Sequence, residues 1–178
     1  MQPDDDIPEP ERLAEALVFA SSDPVSTAAI ARALPDDADP DAVLRRLQAH
    51  YAGRGVELIE AAGGWQFRTA PDLAPRLLRV VPRPRRLTRG AMEVLAVIAY
   101  HQPVTRAEIE TVRGASLGHS TLDALLEAAL VEPRGRKDVP GRPTLWGTTP
   151  AFLAQFGLRS LRDLPRREDL LVEAGAGG

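Results

Sequence analysis

The chain has 178 residues, 44% of them hydrophobic and 26% charged, with a formal net charge of −3; that balance excludes disorder throughout. Cysteine is absent, which removes disulfide scaffolds, thiolate metal sites, iron–sulfur clusters and cysteine nucleophiles together. No apolar run approaches the ~20 residues that span a bilayer, and the acidic start at residues 4–6 is no signal peptide, so a cytoplasmic protein without membrane contact is expected.

Residues 1–8 read as a disordered N-terminus. Leu13, Ala16, Leu17 and Ala20 then recur at helical spacing and predict a first helix. After the turn Ser21-Ser22-Asp23-Pro24, Ser26 is placed to cap a short helix reaching Leu34. Asp39-Pro40 opens a third helix, an acceptor followed by proline at the first helical position, and Val43, Leu44 and Leu47 form its apolar side. Alternating residues 56–60, a Gly63-Gly64 turn and residues 65–69 predict a β-hairpin. Pro82 and Pro84, set among arginines, mark a linker over residues 82–87.

The same order of elements then returns. Thr88 precedes an apolar helix running to about His101, and Thr105 with Glu108 forms a capping box. Leu122, Leu125, Leu126 and Ala129 give the stripe of another helix, with Ser120 or Thr121 as its cap. A strand over 130–133, a long loop over 135–142 and a strand over 144–147 follow. Thr149-Pro150 starts a further helix, and residues 166–178 read as a flexible tail.

A shift of 79 positions lays residues 16–30 over 95–109, matching Pro24 with Pro103, Val25 with Val104, Ser26 with Thr105 and Ile30 with Ile109. Val43 and Leu47 then meet Leu122 and Leu126, and Phe67 meets Trp146. The agreement indicates a tandem duplication. The expected fold is α+β, mainly helical: tandem winged-helix domains over 9–81 and 88–165, each of three helices plus a two-stranded wing.

Nothing in the chain arranges for catalysis. Ser116, His119, Ser120 and Asp123 fall within eight residues, whereas a working triad is assembled from separated segments against an oxyanion hole. His50, His101 and His119 have no metal-ligand spacing, and the acidic stretches 4–6 and 36–41 lack the order of a calcium loop. No catalytic residue, metal or cofactor is expected. The loop 135–143 lacks the order of a phosphate loop, but its glycine, proline and charge content suits a binding surface.

Winged helices usually read DNA with the third helix. In the second copy that helix would expose Ser120, Thr121, Asp123, Ala124 and Glu127, with no Arg, Lys, Gln or Asn to grip guanine or adenine edges and two carboxylates facing phosphate. The first copy offers Arg45, Arg46 and Gln48, yet residues 1–80 carry 14 acidic and 8 basic side chains, a net of −6; residues 81–178 carry 11 and 14, a net of +3. Neither half has the footprint of a dedicated nucleic-acid binder, and eight aromatic residues make no stacking platform. At most weak, non-specific contact is expected, through Arg83, Arg85, Arg86 and Arg89 with the wing residues Arg134, Arg136, Lys137 and Arg142. A winged-helix DNA-binding transcription regulator is the alternative reading.

Three stretches carry a family resemblance: LTRGAMEVLAVIAYHQPVTRAEIETVRG (residues 87–114), GRKDVPGRPTLWGTT (135–149) and FLAQFGLRSLRDLP (152–165). With ALVFASSDPVS (16–26) and GGWQFRT (63–69) they resemble the segregation and condensation protein B family over about residues 9–170. Departures are few. Trp146 stands where tyrosine is common and His101 where a basic residue is common; the turn over 115–121 is slightly long and contains Gly118, and the tail is short.

The resemblance implies a non-enzymatic accessory subunit of the bacterial condensin complex. It would act as a homodimer, joined chiefly through its N-terminal domains. Its partner would be the kleisin, segregation and condensation protein A, and through that the structural-maintenance-of-chromosomes ATPase, in chromosome condensation and segregation. Such a protein is cytoplasmic and associates with the nucleoid through the complex. A kleisin segment is expected to lie as an amphipathic helix or strand against the C-terminal domain. The contacts expected are Tyr100, Gln102, Pro103, Val104 and Arg106 with the wing residues Arg136, Asp138, Pro140, Gly141, Arg142 and Pro143. The two-fold dimer contact is expected near Leu13, Leu17 and Trp65.

Overall fold

A computed structural model of the chain describes residues 7–77 and 87–165. The linker arginines Arg83, Arg85 and Arg86, most of the expected N-terminal stretch and the whole expected tail lie outside the described residues.

The first unit runs α1 (Glu9–Ala20), α2 (Thr27–Ala31), α3 (Pro40–Tyr51), β1 (Val56–Ala61), β2 (Gly64–Thr69) and the short α4 (Ala74–Leu77). Local chemistry sets its helix starts. The Ser26 hydroxyl accepts from the Ala29 N–H, and the Asp39 carboxylate accepts from the Asp41 N–H with Pro40 just inside α3, each satisfying a donor that the first helical turn leaves open. Ala14, Val18, Ile30, Leu34, Val43, Leu44, Leu47 and Leu58 form the core.

Three expectations are corrected in this unit. Helix α2 stops at Ala31, after which residues 32 and 33 turn, rather than reaching Leu34. The buried side of α1 carries Glu11, Ala14 and Val18, while Leu13, Ala16 and Ala20 are exposed and Leu17 is half-buried. Helix α1 is apolar on more than one side, so periodicity admitted either phase, and packing against α3 selected Ala14 and Val18. The hairpin turn lies one residue early. Ala61 pairs with Gly64, which leaves Ala62 and Gly63 as the turn, both in the left-handed region at φ 51° and 73°, as a two-residue hairpin loop requires. Gly64 serves a different purpose: a Cβ there would meet the Pro24 and Val25 backbone at 2.9 Å.

The second unit runs α5 (Arg89–His101), β3 (Val104–Thr105), α6 (Arg106–Arg113), α7 (His119–Glu127), β4 (Val131–Arg136), β5 (Thr144–Thr148), α8 (Pro150–Phe156) and a 3-10 turn (Leu161–Asp163). Thr88 caps α5, Thr105 and Glu108 close the capping box of α6, and Thr149 caps α8. Its separate core joins Val94, Leu95, Ile98, Ile109, Leu117, Leu122, Leu125, Leu130 and Phe152.

Here the sheet has three strands in the order β3-β5-β4, with Val104 opposite Trp146, one strand more than a two-stranded wing. The first unit has a counterpart in the isolated bridge between Val25 and Trp65, so Trp65 rather than Phe67 takes the place of Trp146. Helix α7 starts from Gly118 without a side-chain cap, not from Ser120 or Thr121, which fall inside it. Leu126 is exposed and Ala129 lies past the helix end at φ 54°. The buried pair Leu122 and Leu125 therefore corresponds to Leu44 and Leu47. Strand β4 runs on to Arg136, with an irregularity between Pro133 and Arg136, so the wing loop begins at Lys137.

Candidate partner-binding surfaces

The loop over 137–143 is closed by the Lys137 N–H on the Pro143 carbonyl and the Arg142 N–H on the Val139 carbonyl, both at 2.9 Å. Gly141 at φ 85° and Arg142 at φ 38° bend it. Lys137, the only lysine of the chain, hydrogen-bonds Glu108 through its ammonium group. Glu108 also accepts from the Thr105 N–H at 2.8 Å and the Thr105 hydroxyl at 2.7 Å. The Lys137 hydrogen bond first, then those of Thr105, hold the Glu108 carboxyl down at about 2. The wing is thus tied to the start of α6, and it projects Arg136, Asp138, Val139, Pro140, Gly141 and Arg142 into solvent, with Pro143 half-buried at its base.

The residues over 100–106 divide. Gln102 joins α5 to β5: its amide oxygen accepts from the Thr148 N–H at 2.8 Å and its Nε2 donates to the Thr148 hydroxyl at 2.9 Å. Val104 is a core residue at 3% exposure. Arg106 donates to the Leu117 carbonyl and pairs with Glu110 at 3.4 Å. Glu110 in turn accepts from the Leu117 N–H at 2.8 Å; that bond, together with Arg106, lowers its pKa. Gln102, Val104 and Arg106 are thus engaged in holding the fold, while Pro103 is exposed.

Tyr100 faces elsewhere. Its hydroxyl donates to the Pro165 carbonyl at 2.7 Å, and its ring lines an apolar groove of about 320 Å³ with Met92, Phe152, Phe156, Leu158 and Leu164. No wing residue lines this groove. The expected kleisin contacts therefore form two surfaces rather than one. The groove residues were missed because its second wall comes from α8 and the segment after it; the spacing of Phe152 and Phe156, four apart, was the available signal.

In the first unit Trp65 is half-buried against the core, and its indole N–H donates to the Thr27 hydroxyl at 3.1 Å. Leu13 remains exposed, and Leu17 is half-buried against the core. The apolar surface nearby includes a residue the sequence reading passed over, Phe19, at 82% exposure. It lines a hollow of about 560 Å³ with Ala16, Tyr51, Val56 and Phe67. The Tyr51 hydroxyl hydrogen-bonds the Glu15 carboxylate, which raises the phenol pKa.

The outer side of α7 shows His119, Ser120, Asp123 and Glu127 to solvent, and Ser116 just before it is exposed as well. Arg89 is exposed and paired with Glu93 at 3.3 Å. Among the described residues no group of three or more potential ligands could hold a metal, and no helix is long and apolar enough to cross a membrane.

The sequence profile described as Segregation and condensation complex subunit ScpB matches residues 12–167. Segregation and condensation protein B of Syntrophotalea carbinolica is 47% identical over 191 aligned residues, covering 97% of this chain and 95% of that protein. The protein of the same description from Desulforamulus reducens is 41% identical over 163 residues, covering 89% of this chain and 90% of that one. A solved structure described as a dimer of ScpB N-terminal domain complexed with ScpA peptide is 28% identical, covering 43% of this chain and 92% of its own at a TM-score of 0.37. With the profile running from α1 to just past the 3-10 turn and relatives this similar from end to end, the chain belongs to the segregation and condensation protein B family.

Proposed function

We propose that this chain is a non-enzymatic accessory subunit of the bacterial condensin complex. It forms a homodimer that binds the kleisin, segregation and condensation protein A, and through it the structural-maintenance-of-chromosomes ATPase, in chromosome condensation and segregation. It works in the cytoplasm, at the nucleoid through that complex. Beside the family membership, one observation carries the reading: the outer side of α7 offers two carboxylates and no Arg, Lys, Asn or Gln, while apolar surface is exposed on α1 and beside α5. A winged helix so arranged is suited to polypeptide rather than to base edges.

The unit over 9–81 supplies the dimer contact, through Leu13, Phe19 and Val56. The unit over 88–165 holds the kleisin, by the Tyr100 groove and by Arg136, Asp138, Pro140, Gly141, Arg142 and Pro143. Contact with DNA is at most weak and non-specific. Light scattering on the protein alone and mixed with the middle region of the kleisin tests both parts of the proposal. The mass of a dimer is expected first and of a dimer plus kleisin second, at unchanged yield without DNA. A monomer that ignores the kleisin but binds one duplex sequence selectively would support the transcription-regulator reading and overturn this one.

A further inference from the structure

The tip of the β1–β2 hairpin meets the end of α8. The Ala62 N–H donates to the Leu158 carbonyl at 2.8 Å, and the Gln66 Nε2 donates to the Ala154 carbonyl at 2.8 Å. Both acceptors lie where α8 stops. Gly157 there takes φ 65°, and the Leu158 N–H turns back to the Leu153 carbonyl at 2.9 Å. A helix end of this kind leaves carbonyls open and carries partial negative charge. The Arg68 guanidinium sits over it: a Cβ on Gly157 would meet Nη1 at 2.8 Å.

The hairpin itself makes no use of the Ala62 N–H or the Gln66 amide, while Arg68 also pairs with Glu57 across the two strands at 3.1 Å. Ala61 pairs with Gly64, so the Ala62 N–H has no partner across the turn, and its left-handed backbone at φ 51° aims that N–H outward. An N–H, an amide and a cation thus converge on one helix terminus. Among the described residues the two buried cores on either side are separate clusters, and at the junction itself Ile59 is the apolar neighbour of Gly157.

We infer that the hairpin tip is a latch that grips the C-terminal end of α8 and sets the angle between the two units. Its hydrogen bonds lie outside both buried cores, so it opens without unpacking either. Because Phe152 and Phe156 of α8 wall the Tyr100 groove, the latch also links that wall to the first unit. The inference does not depend on which partner occupies the groove.

Amide hydrogen exchange, read by NMR on the full-length chain, tests it. In the unaltered chain the Ala62 N–H exchanges slowly although it sits in a hairpin turn. In the double variant Gln66→Ala, Arg68→Ala its protection falls by about tenfold or more while a core amide such as Leu47 keeps its own. An Ala62 N–H that exchanges freely in the unaltered chain, or one whose protection the variant leaves untouched, overturns the latch. If the double variant loses Leu47 protection and so does not fold, Gln66→Ala alone gives the same comparison. Because the chain has no cysteine, Arg45→Cys and Glu127→Cys also accept a pair of spin labels, diluted with unlabelled protein so that only distances within one chain are read. One narrow distance is expected, and it is lost in the latch variants; a distance unchanged by those variants overturns the inference.

Discussion

Gly63 and Gly64 are neighbours with different tasks. Gly63 supplies a left-handed backbone with open space around its missing Cβ, while Gly64 lets the Pro24 and Val25 backbone approach to 2.9 Å. Alanine at Gly63 therefore costs only the strain of the positive φ, about 1 kcal/mol. Alanine at Gly64 must displace main chain, which flexes less than a side chain, and costs about 2–3 kcal/mol or more. Urea unfolding of the two variants checks the order; equal midpoints would contradict it. The Glu108 carboxyl gives a second residue-level expectation. Its folded value of about 2 lies below the ordinary 4.5, so the wing anchoring is fully present above pH 4.5 and is lost as the pH falls toward 2. An NMR titration of the side-chain carboxyl should find that low midpoint, and Lys137→Met should move it up toward 4.5, because the largest cause of the depression is removed.

At the scale of elements, the helix starts closed by a side-chain cap were legible because caps are local, whereas that of α7, which starts from Gly118 with no such cap, was not. Ser26, Asp39, Thr88, Thr105 and Thr149 each bond a backbone N–H two or three residues on, and such pairs are visible in any sequence. The phase of α1 was not legible, since Leu13, Ala14, Leu17, Val18 and Phe19 leave several apolar stripes open. The structure buries Ala14 and Val18 and turns Leu13 and Phe19 outward. That gives a test of the dimer face. Phe19→Asp at an 82% exposed site should change monomer stability by no more than about 0.5 kcal/mol, yet weaken self-association by about 2 kcal/mol, roughly 30-fold, if the ring is buried between copies. Sedimentation over a dilution series measures it; an unaltered dimer would remove α1 from the contact.

Across the whole molecule, the longer helices, the two hairpins and the absence of Arg, Lys, Asn and Gln from the outer side of α7 follow from residues close together in sequence. Periodicity and capping are governed by hydrogen bonds and side-chain neighbours within about one helical turn. The tertiary structure decided what needs distant partners: β3 pairing with β5, Trp65 bonding Thr27, Tyr100 joining α8 in a groove away from the wing, and the hairpin tip meeting the Leu158 carbonyl. Each of these joins residues tens of positions apart, and no local pattern records which distant backbone will arrive. The chain alone thus settled the longer helices and the two hairpins, whose signals are local; the short strand β3 and the faces that the helices present were chosen by the packing of one element on another.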